Sequence, residues 1–148
     1  MVYCFYLGIK GVRKMSNLEK FFQNTKDSLP HKNVQMFCKD NMQTGTAIDF
    51  GCGAGRDTVF LIKNGWNVIS VDKENTKTLI EQNLTDEEIK HFKFIQIEFE
   101  DCKIEKNDLF VANFSIPFCK KEYFEQTWNK IVDSIKENRI LYRKFLWT

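Results

Sequence analysis

The chain has 148 residues, 43% hydrophobic and 28% charged, with a formal net charge of +2. That length fits one domain around a single core, and so small a net charge, with acidic and basic residues interleaved, argues for neither nucleic acid nor an acidic membrane surface as a partner. The five cysteines, Cys4, Cys38, Cys52, Cys102 and Cys119, show no C-x-x-C pair and no metal-ligand spacing; no metal is expected, and the odd count without a framework fits a reducing, cytoplasmic setting.

Residues 1–14 hold a short apolar run, Val2 to Ile9, followed by Lys10, Arg13 and Lys14. A secretory leader places its charge first, and the run is far short of the roughly 20 residues a membrane helix needs. These residues are expected to be an N-terminal extension ahead of a single domain over 15–148. Past Met15, Ser16 or Asn17 can cap a helix on which Leu18, Phe21, Phe22 and Leu29 share a face, until Pro30 interrupts it. Val34, Phe37 and Cys38 predict a second short helix.

The stretch Thr46-Ala47-Ile48-Asp49-Phe50-Gly51-Cys52-Gly53-Ala54-Gly55-Arg56-Asp57 carries the most information. An apolar run with one acid reads as a buried strand, the glycines as a tight turn, and Asp57 to Asn64 as a helix closed by Gly65. Glycine leaves no Cβ between main chain and ligand, and the turn aims a helix N-terminus at its occupant. A dinucleotide fingerprint, G-x-G-x-x-G, would need a third glycine where Arg56 stands. Cys52 lies within the turn, but no nearby residue offers a base to activate it as a nucleophile.

Trp66 to Val71 predicts a second strand ending at Asp72, and in a parallel α/β sheet ligands sit at the carboxyl ends of strands. Asn75 to Leu84 predicts a helix with Leu79, Ile80 and Leu84 inward. Thr85-Asp86-Glu87-Glu88 is a capping box opening a short helix, and His91 near its end is read as a packing residue. Phe94 to Ile97 predicts a third strand running into Glu98-Phe99-Glu100-Asp101, and Leu109 to Ala112 a central fourth strand before Asn113-Phe114-Ser115-Ile116-Pro117-Phe118. Phe124, Trp128, Ile131 and Ile135 predict an amphipathic helix over the sheet. Arg139 to Trp147 predicts a fifth strand, whose exposed edge would favour pairing into a homodimer.

The run D-x-G-x-G-x-G from Asp49 to Gly55, followed by Asp72 after the next strand, resembles motif I of the class I S-adenosylmethionine-dependent methyltransferases. The loop Asn113 to Phe118 is similar to that of small-molecule members related to the tellurite-resistance methyltransferases; the Asn-Pro-Pro-aromatic tetrapeptide of adenine- and glutamine-modifying members is absent. The resemblance implies an α/β, Rossmann-like, doubly wound and mainly parallel sheet of about five strands, without the family's strands six and seven. The cofactor it implies is S-adenosylmethionine and the acceptor a small molecule. Of the cofactor contacts, it implies Asp49 toward the ligand's ammonium group; Gly51, Cys52, Gly53 and Gly55 in the turn; Asp72 on the ribose hydroxyls, with Lys73 beside it; and Asn113 at the transfer end. Glu98 would accept from the adenine amine and the Phe99 N–H would meet a ring nitrogen, with Glu100 as the other register. No catalytic residue is assigned. Two alternatives stand beside methyl transfer: a truncated remnant that binds S-adenosylmethionine and transfers nothing, and, more weakly, a nicotinamide-dependent enzyme, which Arg56 argues against.

Overall fold

The computed structural model describes residues 4–6, 9–11, 16–40 and 43–144, with side chains from residue 16 to residue 136. Two short strands, β1 (Cys4–Tyr6) and β2 (Ile9–Gly11), pair antiparallel within the expected extension. Helix α1 (Asn17–Thr25) opens on a capping box: the Glu19 N–H donates to Ser16 Oγ at 3.1 Å and the Ser16 N–H to Glu19 Oε2 at 2.7 Å. The helix ends before Leu29, which is 81% exposed and off the face it was expected to share. Helix α2 (Lys32–Asp40) buries Val34 and Phe37, as its spacing implies.

The sheet is built from β3 (Thr46–Phe50), β4 (Asn67–Asp72), β5 (Phe92–Gln96), β6 (Asn107–Asn113) and β7 (Ile135–Lys144) in the order β5-β4-β3-β6-β7, every pair parallel. This is the expected doubly wound α/β architecture. Alternate residues serve opposite faces. Ala47, Val68, Leu109 and Val111 pack under Val34, Phe37, Leu61, Ile62 and Trp66, whereas Ile48, Ile69, Phe110 and Ala112 pack against Ile131 and Ile116. A sheet covered on both faces needs continuous apolar strands, and all seven residues of β6 are buried.

Helix α3 (Arg56–Lys63) follows β3 and ends at Gly65, whose φ of +88° supplies the left-handed turn expected of it. Helix α4 (Lys77–Glu81) is shorter than the span predicted, and α5 (Asp86–Ile89) starts on the Thr85–Glu88 capping box as predicted. Strand β5 begins two residues earlier than its apolar core suggested, because Phe92 pairs with Val68. Helix α6 (Phe124–Ser134) stops one residue short of Ile135, which turns extended and opens β7. Asn107 pins that junction: it is fully buried, and its amide donates to Ser134 Oγ at 2.9 Å. The predicted end of this strand, 145–147, lies outside the described residues. No described helix is long and apolar enough to cross a membrane.

Chain order positions the site. From β3 the chain winds outward through β4 and β5, then returns to lay β6 along the other side of β3. At that reversal the connections leave in opposite directions and a crevice opens beyond the strand ends.

Candidate functional site

The crevice is a cleft of about 530 Å³ bounded by the glycine turn, the ends of β4, β5 and β6, and one face of α1. That volume lies in the range of small-molecule sites. The turn is tied to β4 by two hydrogen bonds, from the Gly51 and Cys52 N–H groups to the Val71 carbonyl at 2.7 and 3.2 Å. Gly51, at φ +80°, lets Ser115 approach so closely that an added Cβ would lie 2.2 Å from the serine Cβ. Gly53, at φ +54°, faces the open cleft, where an added Cβ would have only Phe22 Cε1 near it, at 3.7 Å.

Asp72, at the end of β4, closes the same wall. Its Oδ2 accepts from the Gly53 N–H at 2.9 Å and its Oδ1 from the Glu74 N–H at 3.0 Å, which fixes the carboxylate at the cleft. A carboxylate has about four lone-pair sites, so both oxygens can still accept from a ligand. Lys73 and Glu74 follow on the same rim. Glu98 and Phe99 line the cleft beyond β5, and the Phe99 ring stacks on Phe50 with centroids 4.2 Å apart. Glu100 pairs instead with Lys120, whose hydrogen bond, helped by its charge, holds the carboxyl below the usual range. Glu98 is among the residues that line the cleft and Glu100 is not.

Two predicted residues lie elsewhere. Asp49 is 4% exposed and does not line the cleft: it sits one layer beneath the turn, where its Oδ2 accepts from Thr58 Oγ1 at 2.7 Å. Burial, reinforced by the charge of Asp57, pushes its carboxyl up to about 8. Its hydrogen bond ties α3 to β3, so the acid expected to face a ligand's ammonium group stands outside the residues that line the cleft. Gly55 also stands behind the wall, packed on Ile80 so tightly that a Cβ would lie 2.4 Å from Ile80 Cγ1. Cys52 lines the cleft but is 8% exposed, and burial pushes its thiol well above the ordinary value. It is a wall residue and a poor nucleophile.

Asn113 ends β6 at the cleft and joins a polar chain that sequence reasoning missed. Its amide donates to Asp57 Oδ2 at 2.9 Å and its Oδ1 accepts from Asn33 Nδ2 at 2.8 Å. Asp57 also accepts from the His31 main-chain N–H at 2.8 Å and from its Nδ1 at 2.6 Å, while Arg56 donates to His31 Nε2. Burial works to raise the Asp57 carboxyl, but the hydrogen bonds from His31 and Asn113 outweigh it and leave the group below the usual range. Arginine can only donate and a carboxylate can only accept. The ring of His31 therefore carries its proton on Nδ1 and presents the Nε2 lone pair to Arg56. His31 lines the cleft, and its partner lies 26 residues away, so no local pattern marked the pair.

The rest of the lining is mostly apolar: Leu18, Phe21 and Phe22 from α1, with Thr25 at its end, and Phe114 and Phe118 either side of Ser115 after β6. Phe114 has φ +60°, alone among the described non-glycine residues in that region. Ser115 is 4% exposed, and its Oγ is buried without a hydrogen-bond partner among the described residues. No group of three or more His, Cys, Asp or Glu among the described residues could hold a metal ion.

A family model described as tellurite resistance protein TehB matches residues 15–139. No curated protein matches the chain by sequence. Among solved structures, TehB from Haemophilus influenzae superposes with a TM-score of 0.67 at 20% identity, over 82% of this chain and 42% of that one. A protein described as a candidate S-adenosyl-L-methionine-dependent methyltransferase from Methanococcus maripaludis gives 0.67 at 18% identity, over 91% and 66%. The Burkholderia thailandensis 1,6-didemethyltoxoflavin-N1-methyltransferase, solved with 1,6-didemethyltoxoflavin and S-adenosylhomocysteine, gives 0.67 at 14%, over 82% and 56%. At these identities the likeness shows the fold, and the chain spans between 42% and 66% of the three neighbours' lengths.

Proposed function

The chain belongs to the tellurite resistance protein TehB family, and from that membership we propose that it binds S-adenosylmethionine in the cleft and transfers its methyl group to a small-molecule acceptor. The observation that carries the reading is the pairing of Gly53 with Asp72. A backbone bend where an added Cβ would touch only Phe22 Cε1, at 3.7 Å, is held by a carboxylate that keeps accepting capacity toward the same cleft. A nucleoside with a neutral sugar and a cationic sulfur suits that pairing better than a pyrophosphate, which the rim carboxylates Asp72, Glu74 and Glu98 would repel.

When bound, the cofactor supplies an electrophilic methyl group on a sulfonium centre. The chain's own residues bind and align. Asp72, backed by its two main-chain donors, accepts from the ribose hydroxyls, with Lys73 beside it on the rim. Glu98 accepts from the adenine amine and the Phe99 N–H meets a ring nitrogen, while the Phe50–Phe99 stack keeps that wall flat. Gly51, Cys52 and Gly53 form the floor under the amino-acid end, with Gly55 and Asp49 supporting the bend from behind. Asn113, held by Asn33 and Asp57, closes the transfer end. Catalysis in this reading is proximity and in-line alignment of an acceptor nitrogen, sulfur or oxygen with the methyl carbon.

Isothermal titration with S-adenosylhomocysteine tests the reading. Micromolar binding is expected in the wild type. In Asp72→Ala affinity should drop about 100-fold, the equivalent of two charge-assisted hydrogen bonds at roughly 1.5 kcal/mol each. Absence of heat at high ligand concentration in the wild type would refute it.

A further inference from the structure

The sheet order divides the cleft into two chemically different halves. On one side of β3, the ends of β4 and β5 carry the carboxylates Asp72, Glu74 and Glu98. On the other, the end of β6 leads into Phe114, Ser115 and Phe118. Under the cofactor reading, on which this inference rests, the acidic half takes the sugar and base, leaving the β6 half for the acceptor.

Three observations define what that half can hold. First, α1 turns Leu18, Phe21 and Phe22 toward the cleft, yet buries no residue at all. A nine-residue amphipathic helix gains its stability from a packed apolar face, and here that face borders open volume: Phe21 is 57% exposed and Phe118, from the facing loop, 78%. Second, Phe114 is held in the left-handed region, which a bulky side chain enters only under constraint from its surroundings. Such strain concentrates at ligand clamps. Third, Ser115 lines the cleft wall with 4% of its surface exposed, and its Oγ, itself buried, lacks a hydrogen-bond partner among the described residues. Nearby, Arg56 is directed to His31 and Asp57 is taken up by His31 and Asn113. A charged acceptor would have to shed water against aromatic rings, whereas an apolar one would cover them.

We propose that the β6 half of the cleft is an acceptor subsite for an uncharged, flat aromatic or heteroaromatic molecule, gripped between α1 and Phe118 and hydrogen-bonded through one polar atom to Ser115.

The test uses N-phenyl-1-naphthylamine, an uncharged aromatic amine whose fluorescence rises on burial, titrated into the full chain saturated with S-adenosylhomocysteine. Saturable binding at one site per chain is expected. Phe21→Asp and Phe118→Asp, on separate elements and both at exposed positions, should each lower the probe's affinity at least tenfold more than that of S-adenosylhomocysteine. Met36→Asp, equally exposed but outside the cleft, should leave both affinities unchanged. Competition between probe and S-adenosylhomocysteine would overturn the proposal, since the rings would then cover the cofactor. So would absence of probe binding, or indifference to both cleft substitutions. If S-adenosylhomocysteine itself fails to bind in a separate titration without probe, the cofactor reading falls and this one falls with it.

Discussion

Gly51 and Gly53 look interchangeable in the motif but do different work. Gly51→Ala would drive a Cβ into Ser115 and hold alanine at φ +80°; left-handed strain and overpacking together predict a loss of about 3 kcal/mol in stability. Gly53→Ala meets no atom closer than 3.7 Å, so only the backbone term of about 1 kcal/mol applies, while the new methyl projects into the cleft. Urea unfolding should therefore single out Gly51→Ala, and titration with S-adenosylhomocysteine should show Gly53→Ala losing at least tenfold in affinity with its stability nearly intact. Equal stability losses would contradict this division. Asp49 makes a different prediction. Folded, its carboxyl keeps its proton up to about pH 8; unfolded, it releases it near pH 4. Between those values the folded state binds more protons, so stability falls as pH rises through the window, by at most about 1.4 kcal/mol per pH unit. Asp57 has the opposite sign: its lowered carboxyl stabilises the fold at neutral pH and loses that effect as the solution becomes strongly acid. Asp49→Asn keeps an acceptor for Thr58 and should flatten the decline between about pH 5 and about pH 8 in urea titrations. A decline parallel to wild type would show that another group carries it.

Elements whose ends are written in local chemistry were legible in advance. Ser16 with Glu19 opens α1, Thr85 with Glu88 opens α5, and Gly65 closes α3, each through contacts within a turn of chain. Elements whose ends depend on a neighbour were less so. Strand β5 is extended by Phe92 because Val68 lies beside it. Helix α6 loses Ile135 because Asn107, from β6, captures the helix end and the chain must then pair with that strand. Helix α1 shows a further limit: its apolar stripe was readable, but that the stripe borders a cleft instead of the core was not, since only the sheet's layout says what lies opposite.

At the scale of the molecule, the parallel sheet presents β7 with one pairing edge toward β6 and no strand on the other among the described residues. An open edge of this kind recruits another strand. Sedimentation velocity over a wide concentration range should show an average mass climbing above the 17.6 kDa of one chain; a constant 17.6 kDa would mean the edge is covered. The strands, the glycine bend and the acid ending β4 followed from periodicity and from residues that act within a few positions of one another, which a linear reading can weigh, whereas the doubly wound order and the interest of Glu98 came with the family resemblance. The His31–Asp57 pair, the concealment of Asp49 beneath the turn, the contact of Gly51 with Ser115 and the split of the cleft into an acidic and an aromatic half could emerge only on folding. Each depends on groups distant in sequence that meet because β6 returns to the flank of β3, and no local pattern encodes that encounter.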